Sequence, residues 1–461
     1  MQAGSFTTDE GSAIEVYQSG FIDSRETIYV TGTTYGDFID GTSRHVDSAY
    51  IASYSATGDE LWTKLINGGN SGRDLSISTD GLIHVVGGVP GASFITQYDS
   101  DGTLKWFKTL RGAKINAVSS NSDAIYVTGR TWTSIAGNSN YWSSPQAFVT
   151  QYSTSGDLVW ASYLRDASSA GMPDQGDEEA VSLTLDEDGQ LIFVGTSSKQ
   201  GKTEEVFASK YSPTGRQEWL SFDGLDQYDV VTHVTTDTSK AIYITGSGLS
   251  ADSSEVKGLI TKLSADGNIL WTKEVDIPGS SASSVEFDNS RKALNVVGTY
   301  SSYGSFHDSS FLASFSTDGD LLEVNRLWEK GYEKLRDAAI SRDSSIYVAG
   351  DSWGGVGAIE SPDTYRSDIL VAQLSLVDSP AQSGRQLISS QAGYIYYRPG
   401  TRASLPLLYS TSDNDSGLSG LTLNIHHDTE RLTPTPANNG ITNQLQADSV
   451  TASTIQPDTS D

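Results

Sequence analysis

Acidic and aromatic side chains hold most of the chemistry available to this chain of 461 residues. Asp177-Glu178-Glu179 and Glu204-Glu205 set carboxylates side by side, the groups a glycoside hydrolase or lyase uses as acid and base. With 58 Asp and Glu present, such pairs also arise by chance, so they define no centre by themselves. His45, His84, His233 and His307 are scattered along the chain, and no HExxH, GxSxG or phosphate-binding glycine loop occurs. There is no cysteine, which removes disulfides, thiol catalysis and thiolate metal sites together. Asp413-Asn414-Asp415-Ser416-Gly417 alternates oxygen ligands and ends in a turn glycine, which makes Asp413 and Asp415 candidate Ca²⁺ ligands. The downstream glutamate of an EF-hand is missing, and a plain polar turn is the competing reading. The adjacent His426 and His427 point to opposite faces of a strand, a poor geometry for one metal.

The aromatic candidates are Tyr35, Phe38, Trp132, Tyr141, Trp142, Tyr300, Tyr303, Phe306, Trp353 and Tyr365. They stand among Asp, Asn and Ser in segments expected to be loops. Trp and Tyr beside polar groups suit a sugar ring or a protein surface, since they combine apolar contact with directional hydrogen bonds. Trp132, Trp142 and Trp353, with Tyr35 and Tyr303, are the residues singled out for ligand contact. The competing reading folds these aromatics back over their own loops, and it is favoured for the tyrosines.

What must position them is a repeat. A short strand ending in glycine recurs seven times, closing at Gly32, Gly87, Gly129, Gly195, Gly246, Gly298 and Gly350. These glycines lie 55, 42, 66, 51, 52 and 52 residues apart, a spacing that suits a four-stranded propeller blade. After each comes a variable stretch, a second alternating strand such as Ala49–Ser55, and a tight turn such as Thr57-Gly58-Asp59. Four residues beyond the turn glycine stands Trp62, Trp106, Trp160, Trp219 or Trp271, with Glu323 in the sixth copy. One structural place repeated in five copies reads as packing between neighbours. By the same logic His84 and Asn295 occupy the place held by Tyr29, Tyr126, Tyr243 and Tyr347, where Phe193 is also grouped, so His84 reads as a packing residue. The seventh copy lacks a glycine turn and a Trp, and Gln2–Thr8 are expected to supply its outer strand and close the ring.

Net charge −28 repels phosphate backbones, and no basic cluster offsets it, so no nucleic-acid partner is expected. No run approaches the ~20 apolar residues that span a bilayer. The opening residues show no basic segment followed by an apolar one, so no classical signal peptide is expected, and the chain reads as a piece of a longer one.

The strand ending in Thr-Gly or Val-Gly, followed by hairpins such as Tyr54-Ser55 to Gly58 and Trp62, resembles the bacterial β-propeller repeats known as SBBP repeats. The likeness spans roughly residues 12–378 and implies a propeller module of large secreted or surface proteins, with no catalytic residues. The Trp hairpins are also similar to the tryptophan-docking motif of pyrroloquinoline quinone dehydrogenases. Seven repeats and no cysteine depart from those enzymes, which usually have eight blades and often a vicinal disulfide.

The pattern changes after Ser375. Residues 379–400 read as a linker and first strand, with alternation at Tyr394–Tyr397 and Leu421–His426. Gly417 to Pro434 looks similar to the opening of cohesin-like β-sandwiches, so 401–461 read as an incomplete domain with a polar tail. The expectation is thus an all-β chain: a seven-bladed β-propeller of four-stranded blades over 1–378, then a partial β-sandwich. Its expected role is a non-catalytic, extracellular or cell-surface module binding carbohydrate or matrix ligands, without a firm cofactor and with Ca²⁺ as a candidate. A polysaccharide lyase or hydrolase, or a structural spacer, are the alternatives.

Overall fold

The computed structural model describes residues 2–3, 9–18, 26–35, 47–135, 141–164, 176–199, 205–222, 225, 228–249, 255–301, 308–327, 332–353, 367–374, 386–390 and 407–411. The chain divides into two units, the first comprising Met1–Val356 and Glu360–Ser375. This first unit is a seven-bladed β-propeller of four-stranded antiparallel sheets, as the repeat predicts. In the second unit, Gln386–Ser390 pairs antiparallel with Leu407–Thr411. The expected strands at 394–397 and 421–426, and the candidate ligands Asp413 and Asp415, lie outside the described residues.

The innermost a strands are Asp9–Gln18, Ser71–Ile77, Ala113–Ser120, Gly176–Leu185, Val230–Thr236, Ser280–Asp288 and Tyr332–Ile340. The b strands carry the repeated phrase, from Glu26–Tyr35 in blade 1 to Ile346–Trp353 in blade 7. The c strands run from Asp47–Ser55 to Ser367–Leu374, and the outer d strands from Glu60–Leu65 in blade 1 to Leu321–Leu327 in blade 6. Blade 7 takes its outer strand from the start of the chain: Gln2 and Ala3 pair with Leu370 and Ile369. The ring therefore closes by the N-terminal residues, and residues 4–8 of the expected strand lie outside the described set.

The repeated glycine has a steric cause. Every a strand carries one unpaired extra residue at the same place: Ser12, Arg73, Asn116, Val181, Thr232, Ser283 and Arg336. Such a β-bulge kinks the strand and brings the backbone just ahead of it close to the neighbouring strand. A Cβ on Gly32, Gly129 or Gly350 would lie 1.9 Å from the carbonyl oxygen of Glu10, Lys114 or Lys334, respectively. No side chain fits there, so the glycine marks the bulge opposite it.

The core lies between blades. Tyr243 and Ile260 of blade 5 pack on Val285, Leu294, Val296 and Phe311 of blade 6, all buried. Each docking tryptophan crosses to the next blade at the rim. The indole N–H of Trp62, Trp106, Trp160, Trp219 and Trp271 donates to the carbonyls of Ser100, Thr154, Pro213, Ala265 and Thr317, at 3.1 to 3.3 Å. The indole lies flat on the turn glycine of that blade, close enough that a Cβ on Gly102, Gly156, Gly215, Gly267 or Gly319 would meet the ring at 2.8 to 3.0 Å. Those glycines also hold φ between 80° and 87°, which L side chains rarely adopt. One grouping is corrected. Ile192, not Phe193, stands three residues before the blade-4 glycine, on the rung of Lys210, and Phe193 packs toward blade 3 with Tyr126.

Candidate functional site

Each a strand is an edge whose backbone groups on one side have no strand partner, a situation proteins must resolve with other donors and acceptors. Here the bulge supplies them. The bulge residue donates to the next blade: Arg73 Nη1 to Ile115 O at 2.8 Å, Asn116 Nδ2 to Ala180 O at 2.8 Å, and Thr232 Oγ1 to Ala282 O at 2.9 Å. The following residue accepts from the next blade's backbone: Asp74 Oδ2 from Val118 N–H at 2.7 Å, Ser182 Oγ from Val234 N–H at 3.2 Å, and Asp337 Oδ2 from Ile14 N–H at 3.0 Å. His233 Nδ1 holds the equivalent place before Val285 N–H at 3.4 Å. The bulge thus turns two consecutive side chains toward the neighbouring blade as a donor–acceptor staple. The staple between Asp337 and Ile14 joins blade 7 to blade 1, across the closure of the ring.

The inner strands gather an acidic group. Glu15, Asp74, Glu286 and Asp337 stand on four consecutive blades, 1, 2, 6 and 7 around the ring, while blades 3 to 5 place Ser119, Thr184 and Thr235 at the register of Glu15 and Glu286. Burial pushes Glu15 up to about 8, and the charges of Asp337 and Asp74 add to the rise. Burial also raises Asp74 to about 8, against the backbone N–H of Val118, which favours its charged form. Glu286 is pushed well above the ordinary glutamate value by burial and then by Glu15 and Asp337. All four side chains are only half-buried by surface accessibility, so they are walled by protein yet reached by solvent. That combination raises the proton affinity of Glu15, Asp74 and Glu286 without sealing them off.

The a strands begin, and the b strands end, on the face that bears the b–c connections. Arg130 Nη1 pairs with Glu179 Oε2 at 3.0 Å there, and Glu179 Oε1 accepts from Lys114 Nζ at 2.6 Å and Asn116 Nδ2 at 2.8 Å. The Arg130 guanidinium covers the ring of half-buried Trp132 at 4.9 Å. Glu178, next to Glu179 in sequence, and Glu333 of blade 7 are buried, each opposite a serine, Ser197 or Ser352. Burial raises Glu333 to about 8.

The candidate aromatics among the described residues belong to strands rather than to loops, because the b and c strands run further than the sequence pattern suggests; Phe38, Phe306 and Tyr365 lie outside the described residues. Tyr35, Trp132 and Trp353 end b strands of blades 1, 3 and 7, and Trp142 opens the c strand of blade 3. Thr133 pairs with Tyr141, so the strands bearing Trp132 and Trp142 meet at this point. Blades 7 and 1 adjoin, which places the strand ends of Trp353 and Tyr35 on neighbouring blades of the same face. Tyr35 is exposed, and Tyr300 is buried in a b strand under Arg326. Tyr303 lies outside the described residues, as do His45 and His307.

Of the described histidines, His84 and His233 are held by neighbouring groups. His84 is buried between Ser120 Oγ at 3.0 Å and Gln97 Nε2 at 2.9 Å, and burial lowers it to about 4. Among the described residues, no group of three or more His, Asp or Glu side chains is arranged to hold a metal ion. The bulge staples were missed from sequence. Their signal is the pair Arg73-Asp74, repeated as Arg336-Asp337, in the strand ahead of the glycine phrase.

No protein-family model matches the chain, and no curated protein matches it. Among solved structures, the WD40 repeats of RRP9 are 11% identical, cover 81% of this chain and 97% of their own, and superpose with a TM-score of 0.50. Sqt1 from Chaetomium thermophilum is 13% identical over 78% of this chain and 85% of its own, at a TM-score of 0.44. Virginiamycin B lyase from Staphylococcus aureus is 10% identical over 68% and 86%, at 0.42. At these identities the likeness is one of fold. The chain is of the β-propeller class, and that fold hosts enzymes and non-enzymatic repeats alike.

Proposed function

We propose that this propeller is a non-catalytic recognition module that contacts its ligand through the face bearing the b–c connections. The observation that carries the reading is the commitment of the inner polar groups. Asp74, Asp337, Ser182 and His233 are spent on the backbone of the next blade, Glu179 on three cationic or amide donors, and His84 on Ser120 and Gln97. Groups so held serve to keep the ring closed. The strand ends of Tyr35, Trp132, Trp142 and Trp353 share the face where a propeller varies most cheaply.

The ligand class proposed is carbohydrate, or a matrix protein bearing it, with Ca²⁺ at Asp413 and Asp415 as an accessory. We read the module as SBBP-type, from a bacterial secreted or cell-surface protein, with 379–400 as linker and 401–461 as an incomplete cohesin-like region. The test is a glycan and polysaccharide binding screen of the whole chain, with calcium and with chelator. A saturable hit that is lost when Trp132, Trp142 and Trp353 are replaced by Ala, with circular dichroism unchanged, supports the reading. Release of new reducing or unsaturated ends would replace it with an enzyme, and a blank in both buffers with a spacer.

A further inference from the structure

We propose that Arg111, Lys114, Arg130 and Trp132, on the b–c face of blades 2 and 3, bind the carboxylate of a uronic acid, an inference that rests on the carbohydrate reading above and names the sugar it takes. The whole chain holds 58 acidic against 30 basic residues. Residues 102–156 reverse this balance, with five basic residues and one acid, Asp123. They span the outer strand of blade 2 and the first three strands of blade 3. Asp123 lies in the turn between the a and b strands, at the far end of the blade from the b–c face. No basic run marks this segment in sequence, but the fold brings three of its cations together.

Strand pairing and hydrogen bonds join them. Arg111 is exposed at the end of its strand, opposite Ala92. Ala92 follows Pro90-Gly91, the shortest b–c connection of the ring. The next residue along, Gly112, accepts the Trp132 N–H at its carbonyl at 2.9 Å. The Trp132 ring lies 4.9 Å from Arg130 Cζ, and Arg130 stands directly opposite Lys114. One blade back, Arg73 reaches Ile115 O, beside Lys114. Burial lowers Arg73 and the charge of Arg130 adds to the fall, against the pull of Glu179.

Lys114 opposite Arg130 is a costly arrangement, since like charges directly opposite one another destabilise a sheet. On the same rung, blade 7 sets Lys334 opposite Asp351, and each of the other five blades holds at most one charge. Blade 3 alone sets two cations face to face there. Glu179 is shared between them, at 2.6 Å from Lys114 Nζ and 3.0 Å from Arg130 Nη1, and one carboxylate cannot neutralise two cations. Arg130 Nε is enclosed and has no hydrogen-bond partner. Yet the Lys114 and Arg130 side chains keep 38% and 31% of their surface exposed. A carboxylate supplied by a ligand relieves the repulsion through charge-assisted bonds, and half-buried Trp132 offers the sugar ring an apolar contact beside it. The acidic remainder of the chain disfavours a dense polyanion, but charges beyond ~8 Å are screened at physiological salt, so a sparsely charged glycan fits.

The experiment is titration calorimetry of the full chain with an oligosaccharide ending in a single glucuronic acid, and with the methyl ester of the same sugar. The acid should bind about tenfold or more tighter than the ester, a comparison that needs no variant. Arg130→Gln, with circular dichroism unchanged, should bring the acid down to the level of the ester. Glu179→Gln should tighten the acid and leave the ester unmoved, because it removes the carboxylate that competes for Lys114 and Arg130. Equal affinity for acid and ester, weaker binding of the acid by Glu179→Gln, or an acidic peptide that binds as tightly as the acidic sugar overturns the proposal. Acid and ester bound equally would leave the carbohydrate reading standing, whereas binding of neither would remove both.

Discussion

Replacing Glu15 with Gln should make the propeller more stable in alkali and flatten its dependence on pH. An unfolded Glu15 ionises near its ordinary value, whereas the folded side chain holds its proton to about pH 8. Between those values the folded state binds more protons than the unfolded one, so stability falls as pH rises. The favourable contribution is complete below about pH 4 and lost once the folded group ionises. The full difference would correspond to about 5 kcal/mol, and solvent reaching the half-buried carboxyl reduces this to about 1–2 kcal/mol. His84 works the opposite way. Buried neutral, it withdraws stability only as pH falls from about 6.5 toward about 4, where an unfolded imidazole takes a proton. Comparing pH 6.5 with pH 8.5 therefore isolates the carboxyls. Urea unfolding should show the wild type losing about 1 kcal/mol more than Glu15→Gln over that interval. Glu286→Gln should act in the same direction, because Glu15 and Glu286 repel one another. Equal pH slopes for wild type and Glu15→Gln, or a variant no more stable at pH 8.5, would refute the account of the inner acidic group.

Two further perturbations test the ring itself. Trp160→Ala should cost about 2–3 kcal/mol, less than a fully enclosed aromatic because the indole sits at the rim, and thermal unfolding would register it as a lower Tm. Glu323→Ala, on the same rung of blade 6, should move Tm little. Gly129→Ala should prevent folding, since its Cβ would lie 1.9 Å from Lys114 O, while Gly189→Ala meets no atom within 4 Å and should cost only about 1 kcal/mol for its φ of 71°. Soluble yield and circular dichroism separate the two. A folded Gly129→Ala protein of near-normal stability would mean the bulge is not what demands the glycine.

The seven-fold phrase was legible because sterics repeat with the backbone: wherever an a strand bulges, the strand beside it can tolerate only glycine at the crossing. The docking tryptophans were legible for the same reason, since each needs a glycine turn on the next blade. The staples were not, because their chemistry varies while their geometry stays constant. Arg73, Asn116 and Thr232 donate from one place, and Asp74, Ser182 and Asp337 accept from the next. A charged pair, an amide and a hydroxyl share no letter, only a bond to the same backbone atom across the blade. The aromatic candidates failed differently. Alternation fades at the ends of strands, so Tyr35, Trp132 and Trp353 read as loop residues although the b–c pairing extends to include them. This bears on how the chain can acquire a ligand. The staple residues of the inner strands answer to the neighbouring blade, and changing one leaves a backbone group unpaired in the next. Tyr35, at the end of a b strand, is exposed. Change at a staple therefore costs the ring a bond between blades, whereas the exposed end of a b strand can change without breaking one.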